Sequence, residues 1–406
     1  MVTADGRRHI EWTPIPEPSA SGATCRVWLM QAGTISIPED FVLLPAPNTN
    51  NRTLQETPEQ SKLRSINAPD FVFLIEHVPT GDFFLFDLGM RKDLHNLPPY
   101  ICDVDLPIYD CNPRLPQEIL AESSPRGYSA SKVKAIILSH LHFDHIGDCG
   151  REAFPNAELW IGPSACMEAR PGHPHDPMAT VLASDFPKDG SRKIVEFTIP
   201  HPRLQEGGDG RAIKIEEWHK TGQYEAVDCQ VPKNGWKALG SFDLAFDLFG
   251  DESAYLIDTP GHAAGHQSLL IRVTTPEKIG GASGSCGENE LDSNQDDFVL
   301  LAGDSFHHPD LLQDPFRTAR PPYSSYTIHA DDDLAIDTMI RTRQFAERDN
   351  IWVIASHDIS IVETLAAGAS RVEGLVLLND WRQKGWKACH GKCGFSSLTA
   401  EKPSEH

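Results

Sequence analysis

The stretch Ser139-His140-Leu141-His142-Phe143-Asp144-His145 places three imidazoles and one carboxylate within six positions. Imidazole nitrogen and carboxylate oxygen are donors that divalent transition ions accept, and a metal so held can activate water. His140 and His142 lie two apart, so an extended backbone aims both rings to one side. A turn at Asp144 then swings that carboxylate and His145 toward a second point. The layout suits two metal ions a few ångströms apart.

The element that must position this cluster is the apolar run directly before it, Val133, Ala135, Ile136, Ile137 and Leu138, which reads as a buried strand. Three later runs end in similar residues. Ala254-Tyr255-Leu256-Ile257 leads into Thr259-Pro260-Gly261-His262-Ala263-Ala264-Gly265-His266, Phe298-Val299-Leu300-Leu301-Ala302-Gly303 ends in Asp304, and Ile351-Trp352-Val353-Ile354-Ala355-Ser356 ends in His357.

The HxHxDH run resembles the signature of the metallo-β-lactamase superfamily, and His262, Asp304 and His357 follow in that family's order. The likeness extends over about residues 26–381. It implies an α/β fold, the four-layer αββα sandwich of two mixed sheets with outer helices, carrying loop insertions. It also implies a ligand set: His140, His142 and His262 for one ion, Asp144, His145 and His357 for the second, and Asp304 bridging both. Nitrogen and carboxylate donors suit Zn²⁺ and also admit Mn²⁺, Fe²⁺ or Co²⁺. In such a site a hydroxide shared by the two ions is the expected nucleophile, since metal binding can bring a water pKa from 15.7 to about 7. Asp144 is the first choice for the group that protonates the leaving oxygen. By the same resemblance Asp87 holds a ligand histidine or the metal loop, and His266 is a neighbour of the site rather than a ligand.

Within the superfamily, the phrase from Gly261 to Gln267-Ser268 and the terminal Ser356-His357-Asp358 look most like the N-acyl homoserine lactonase branch, so a small lactone or related ester is the expected substrate. That branch carries a Tyr three residues after the bridging Asp, where this chain has His307. Two outcomes are open: His307 donates a comparable hydrogen bond, or it points elsewhere and the substrate differs. Competing readings are a thioesterase of the hydroxyacylglutathione hydrolase type, which would want a basic C-terminal patch, and a mononuclear iron persulfide dioxygenase, which would hold one metal. A β-lactamase proper and a non-catalytic metal scaffold rank lower.

Composition narrows the partners. Asp and Glu number 58 against 36 Lys and Arg, a formal charge of -22 that repels phosphate backbones and anionic membranes, so nucleic acid and membrane are not expected. The polar start Met1-Val2-Thr3-Ala4-Asp5-Gly6 and the lack of long apolar runs lead to the expectation of a soluble, cytoplasmic protein. Nine scattered cysteines fit reduced thiols. Cys389-His390-Gly391-Lys392-Cys393 lacks a second ligand pair nearby, and His173 and His175 sit in a proline-flanked loop; neither pair is read as a metal site. Nothing in the chain gives the oligomeric state.

The domain expectation is a lead-in or tail at residues 1–23, one large domain at 24–381 with a flexible insertion at about 276–297, and a C-terminal tail at 382–406. Cys25 to Met30 and Ala32 to Ile35 read as a first strand pair, and a hairpin is expected from residues 71–78 and 83–89 across 79–82. The Pro-rich segment between Arg91 and Arg126 carries a short helix candidate at Gln117 to Glu122 and is expected to roof the pocket. Residues 185–234 read as an insertion without periodicity. A helix over residues 331–348 should pack through Leu334, Ile336, Met339, Ile340 and Phe345.

Overall fold

The computed structural model describes residues 10–17, 19–45, 64–123, 127–199, 228–230, 235–275 and 295–388. The first sheet contains β1 (Cys25–Pro38), β2 (Ser65–His77), β3 (Asp82–Phe86), β4 (Asp110–Pro113), β5 (Val133–Ile137), β6 (Glu158–Ile161), β7 (Ile194–Phe197) and β8 (Asp228–Gln230). The second contains β9 (Lys237–Leu239), β10 (Phe242–Asp247), β11 (Ala254–Asp258), β12 (Gln267–Thr274), β13 (Asp297–Leu301) and β14 (Ile351–Ile354); β15 (Val376–Leu377) returns to the first. Their orders are β15-β1-β2-β3-β5-β6-β7-β8, with β4 on β1, and β14-β13-β12-β11-β10-β9. Both sheets are mixed. From β3 through β8 the first sheet pairs in parallel, and β13–β14 is parallel in the otherwise antiparallel second.

Alternation along each strand builds the layers. Val27, Leu29, Phe73, Ile75, Phe84, Phe86, Ala135 and Ile137 meet Leu256, Leu269, Ile271, Val299, Leu301, Trp352 and Ile354 in the core between the sheets. The intervening residues Trp28, Met30, Val72, Leu74, Leu85 and Ile136 face the outer helical layer with Ile119, Leu120 and Cys166. On the far side Ile257, Leu270, Leu300 and Val353 take the helix Asp332–Ala346 through Ala335, Met339 and Phe345. Because both faces are covered, residues 71–75 of β2 and 135–137 of β5 are apolar without interruption, and each large side chain removed from water contributes roughly 1.5–3 kcal/mol. The expected αββα sandwich is the fold observed.

Several elements depart from the sequence expectation. The first strand pair is one long strand, β1, with an irregular register between Gln31 and Thr34. Gly33 there has φ 138°, and a Cβ would stand 2.6 Å from the Asn112 carbonyl oxygen, so the bulge exists to admit β4. The hairpin forms, but β2 starts at Ser65 and β3 stops at Phe86. Residues 185–234 contribute β7 and β8 to the first sheet, which their lack of periodicity concealed. On the helix Asp332–Ala346, Ile336, Met339 and Phe345 are buried while Leu334 and Ile340 are half-buried, and Thr338, Arg341 and Thr342 share the inner face.

Residues 10–17 and 19–23 run as an extended segment against the second sheet: Thr13 bridges Gly240, Trp12 packs on Phe345, and Arg272 donates to the Pro16 carbonyl. Arg382 pairs with Asp297 and Trp386 packs on Trp352, so the start of the 382–406 tail is also docked. The insertion at 276–294 and Cys389 to Cys393 lie outside the described residues. Among the described residues, no helix is long and apolar enough to cross a membrane.

Candidate metal centre

Four strands deliver the site from their C-terminal ends. β5 stops at Ile137 and the chain enters the histidine run, β11 leads to Gly261-His262, β13 to Gly303-Asp304, and β14 to Ser356-His357. A single helical turn, Phe143–Ile146, follows His142 and carries Asp144 and His145, whose ring lies 4.1 Å from that of His140 between centroids. Gly261 has φ 122°, and a Cβ there would lie 2.2 Å from the Ala335 backbone nitrogen; only glycine lets the His262 loop pass under that helix.

All seven expected ligands converge. His140 Nε2 and His262 Nε2 lie 2.9 and 3.0 Å from His142 Nδ1. Asp304 Oδ2 lies 3.1 Å from His145 Nε2, 3.5 Å from His357 Nε2, 3.6 Å from His262 Nε2 and 3.9 Å from His140 Nε2. His357 Nε2 is 3.4 Å from Asp144 Oδ2. Thus His140, His142 and His262 form one cluster, and Asp144, His145 and His357 a second. Asp304 lies within reach of donors from both, joining His140 and His145 in a further group. His173 and His175 belong to none of the clusters found among the described residues.

The far sides of His140, His145, His262 and His357 are held. Asp87 Oδ2 accepts from His145 Nδ1 at 2.9 Å and from the Ser139 hydroxyl at 2.7 Å, while Oδ1 accepts from the Ser139 N–H at 2.6 Å. His357 Nδ1 donates to the Pro69 carbonyl at 2.8 Å. His140 Nδ1 lies 3.0 Å from the Ser139 hydroxyl, and His262 Nδ1 lies 3.1 Å from His329 Nδ1. His266 Nδ1 donates to the Thr259 carbonyl, and its Nε2 accepts from the Asp304 N–H at 3.0 Å, so this ring fixes the Asp304 backbone.

Electrostatics divide the rings. Burial, then the neighbouring rings, hold His140 and His262 well below the usual imidazole range. Burial likewise brings His142 down to about 4, against the pull of Asp144. At His145 burial opposes a charge, but Asp304 and Asp87 outweigh it and raise its pKa; Asp304 and Asp144 do the same for His357. Burial would raise Asp304 and Asp144, yet the facing imidazoles hold both carboxyls below their ordinary range.

This donor set fits divalent transition ions. His145 Nε2, His357 Nε2 and Asp304 Oδ1 are buried without a hydrogen-bond partner, and the cluster of three neutral rings presents nitrogen to nitrogen. Buried polar atoms of that kind are costly unless a cation takes them.

His307, whose direction the sequence left open, faces the site: its Nε2 lies 2.9 Å from Asp304 Oδ2 and its ring lines the adjoining cavity. That cavity, about 380 Å³, is bounded by Ile35, Ile37, Phe41, Ile108, Phe143 and Ile328, with Asp144, His262, Asp304, His307 and His329 at its polar end. Ile101, Asp105 and Tyr109 come from the expected roof segment. His329 was not foreseen. It sits between Ile328 and Ala330 with no motif around it, and burial draws its pKa down to about 3.

A family model described as the metallo-β-lactamase superfamily matches residues 71–154. Gamma-lactamase MBL2 of Gibberella moniliformis is 30% identical over 227 residues, 55% of this chain and 70% of that protein. The cytochrome P450 monooxygenase mpaDE of Penicillium roqueforti is 32% identical over 347 residues, 81% of this chain but 34% of the relative, so the chain spans about a third of that protein's length. Among solved structures, an N-acyl homoserine lactone hydrolase with N-hexanoyl-L-homoserine bound is 18% identical, with a TM-score of 0.48, over 83% of this chain and 94% of that one. The chain belongs to the metallo-β-lactamase superfamily.

Proposed function

We propose that the chain is a metal-dependent hydrolase that opens a lactone or cleaves a related ester. Two divalent ions, Zn²⁺ first, would be held by His140, His142 and His262 and by Asp144, His145 and His357, with Asp304 between them. The observation that carries this reading is the convergence of seven donors from four strand ends, with buried nitrogen and oxygen atoms left unpartnered. When bound, such ions supply activated water and polarise a carbonyl oxygen.

The chain's own groups do the rest. Asp87 and the Pro69 carbonyl orient His145 and His357 with Nε2 toward the site. Asp144 is a carboxylate at rest, able to take the proton released from water and return it to the leaving oxygen. His307, with Nε2 2.9 Å from Asp304 Oδ2, would hold that carboxylate and reach the substrate carbonyl from the cavity wall, the task of a tyrosine in the lactonase branch. The apolar cavity wall packs the remainder of the substrate.

The cavity lining contains no Lys or Arg among the described residues, but includes Asp105 and Glu168. That favours an uncharged ester or lactone over a glutathione thioester, whose carboxylates would face acids. Screening lactones, aryl esters and glutathione thioesters with zinc-reconstituted protein tests the reading. Turnover of lactones or esters with two metals per chain is expected; a single iron with oxygen uptake, or no turnover, would overturn it.

A further inference from the structure

His262 and His329 form a pair whose proton can be placed by chemistry. His262 Nε2 points at His142 Nδ1 and Asp304 Oδ2, at 3.0 and 3.6 Å. A ring that offers Nε2 to a cation presents a lone pair there, so the neutral imidazole carries its proton on Nδ1. The atom facing that proton is His329 Nδ1, 3.1 Å away. His329 must therefore accept with Nδ1, and a neutral His329 keeps its own proton on Nε2.

That Nε2 has no partner among the described residues, although the ring is 6% exposed and lines the cavity. The position is fixed by backbone bonds on either side: Ala330 N–H donates to the His262 carbonyl and Asp331 N–H to the Gly261 carbonyl, each at 2.9 Å, while the His329 N–H meets the Thr327 hydroxyl at 3.1 Å. A buried donor so held is costly unless something in the cavity takes it.

We propose that His329 is a substrate-recognition residue: its Nε2–H, set by the His262 contact, donates to an acceptor oxygen of an uncharged, largely apolar lactone or ester lying in the cavity. The proposal rests on the hydrolase reading above and deepens it. His329 acts twice, fixing the tautomer of His262 and reading an oxygen of the substrate, and the two roles separate by substitution. An Asn amide reaches the Nδ1 position and can accept from His262, but lacks the distal donor. A Gln amide reaches the Nε2 position and can donate, but leaves His262 Nδ1 without its acceptor.

The first measurement needs no substrate. In the zinc-loaded full chain labelled with ¹⁵N-histidine, with His329 assigned by comparison with His329→Asn, the ring should carry its proton on Nε2. A proton on Nδ1 would leave Nε2 an acceptor only and overturns the recognition role. The second is a split between the variants. His329→Asn should raise KM for the best ester or lactone of the screen by about 10-fold, the loss of one hydrogen bond. His329→Gln should weaken zinc binding by about 10-fold or more, as expected when the partner of a ligand histidine is lost. An unaltered KM in His329→Asn, or equal losses of zinc and KM in both variants, overturns the recognition role. Wild-type protein that turns over no ester or lactone overturns the hydrolase reading, and the ligand class named here falls with it even if the Nε2 proton is found.

Discussion

His307 Nε2 lies 2.9 Å from Asp304 Oδ2, the oxygen that also faces His145, His262 and His357. A residue three positions beyond the expected bridging carboxylate thus reaches back to hold it, while its own Nδ1 is buried without a partner. His307→Phe keeps the ring volume and removes both nitrogens. The two proposed donor clusters stay intact, so metal content should remain at wild-type level while kcat/KM on the best substrate falls by roughly 10–100-fold. Metal analysis and steady-state kinetics on one preparation check this, and wild-type kinetics would take His307 out of the chemistry.

Asp87 offers a test one step from the metal donors. Its carboxylate accepts three hydrogen bonds, from Ser139 N–H, Ser139 O–H and His145 Nδ1–H. In Asp87→Asn the amide nitrogen would face a donor, leaving one or two buried groups unpaired at about 1–3 kcal/mol each. Zinc affinity should fall about 10–100-fold, since His145 loses the group that orients it. Competition titration against a chromophoric chelator and urea unfolding measure the two effects; full zinc affinity in this variant would separate Asp87 from the site.

The uneven legibility of the sequence has a physical basis. A strand end displays its donors at consecutive positions, so His140 to His145 stand out, and the later His262, Asp304 and His357 each close an apolar run. Asp87 was readable for the same reason. His329 was not, because its role comes from a contact with His262 across 67 residues, and a lone histidine before a helix carries no pattern. The cavity wall was equally hidden: Ile35, Phe41, Ile108 and Ile328 are ordinary apolar residues from three separate segments, brought together only by the paths of β1, the roof and the stretch before the helix Asp332–Ala346. Strands near the end of the first sheet were harder than those at its centre. β7 is four residues long and lies in a stretch of mixed charge, so its pairing with β6 decides its state more than its composition does.

Gly261→Ala tests the approach of the His262 loop to the helix Asp332–Ala346. The added methyl would lie 2.2 Å from Ala335 N and 2.6 Å from Ala335 Cα, and both are backbone atoms of the first helical turn that cannot swing aside. The φ of 122° is a further penalty for any L side chain. Destabilisation of about 2 kcal/mol or more is expected, with zinc at the His140, His142, His262 cluster weakened because the third nitrogen moves. Thermal unfolding with and without zinc reads both; a variant as stable as wild type would contradict the close approach.

Asp185 gives a pH signature from a carboxyl outside the proposed ligand set. It is 7% exposed, and burial above all, with Asp148 and Asp93 adding to it and Arg91 and Arg192 opposing, raises its carboxyl from 3.8 to about 7. The folded chain therefore binds a proton here that the unfolded chain has released, between about pH 4 and pH 7. Stability should fall through that window as pH rises and lose nothing more from this group above it. The contribution is on the order of a few kcal/mol, at about 1.4 kcal/mol per pH unit. Asp185→Asn removes the ionisation and keeps the shape, so it should match wild type near pH 4 and exceed it at pH 8. Urea unfolding of the two proteins across this range checks the difference, in which other titrating groups cancel. Parallel curves would mean that Asp185 ionises in the folded protein as readily as in the unfolded one.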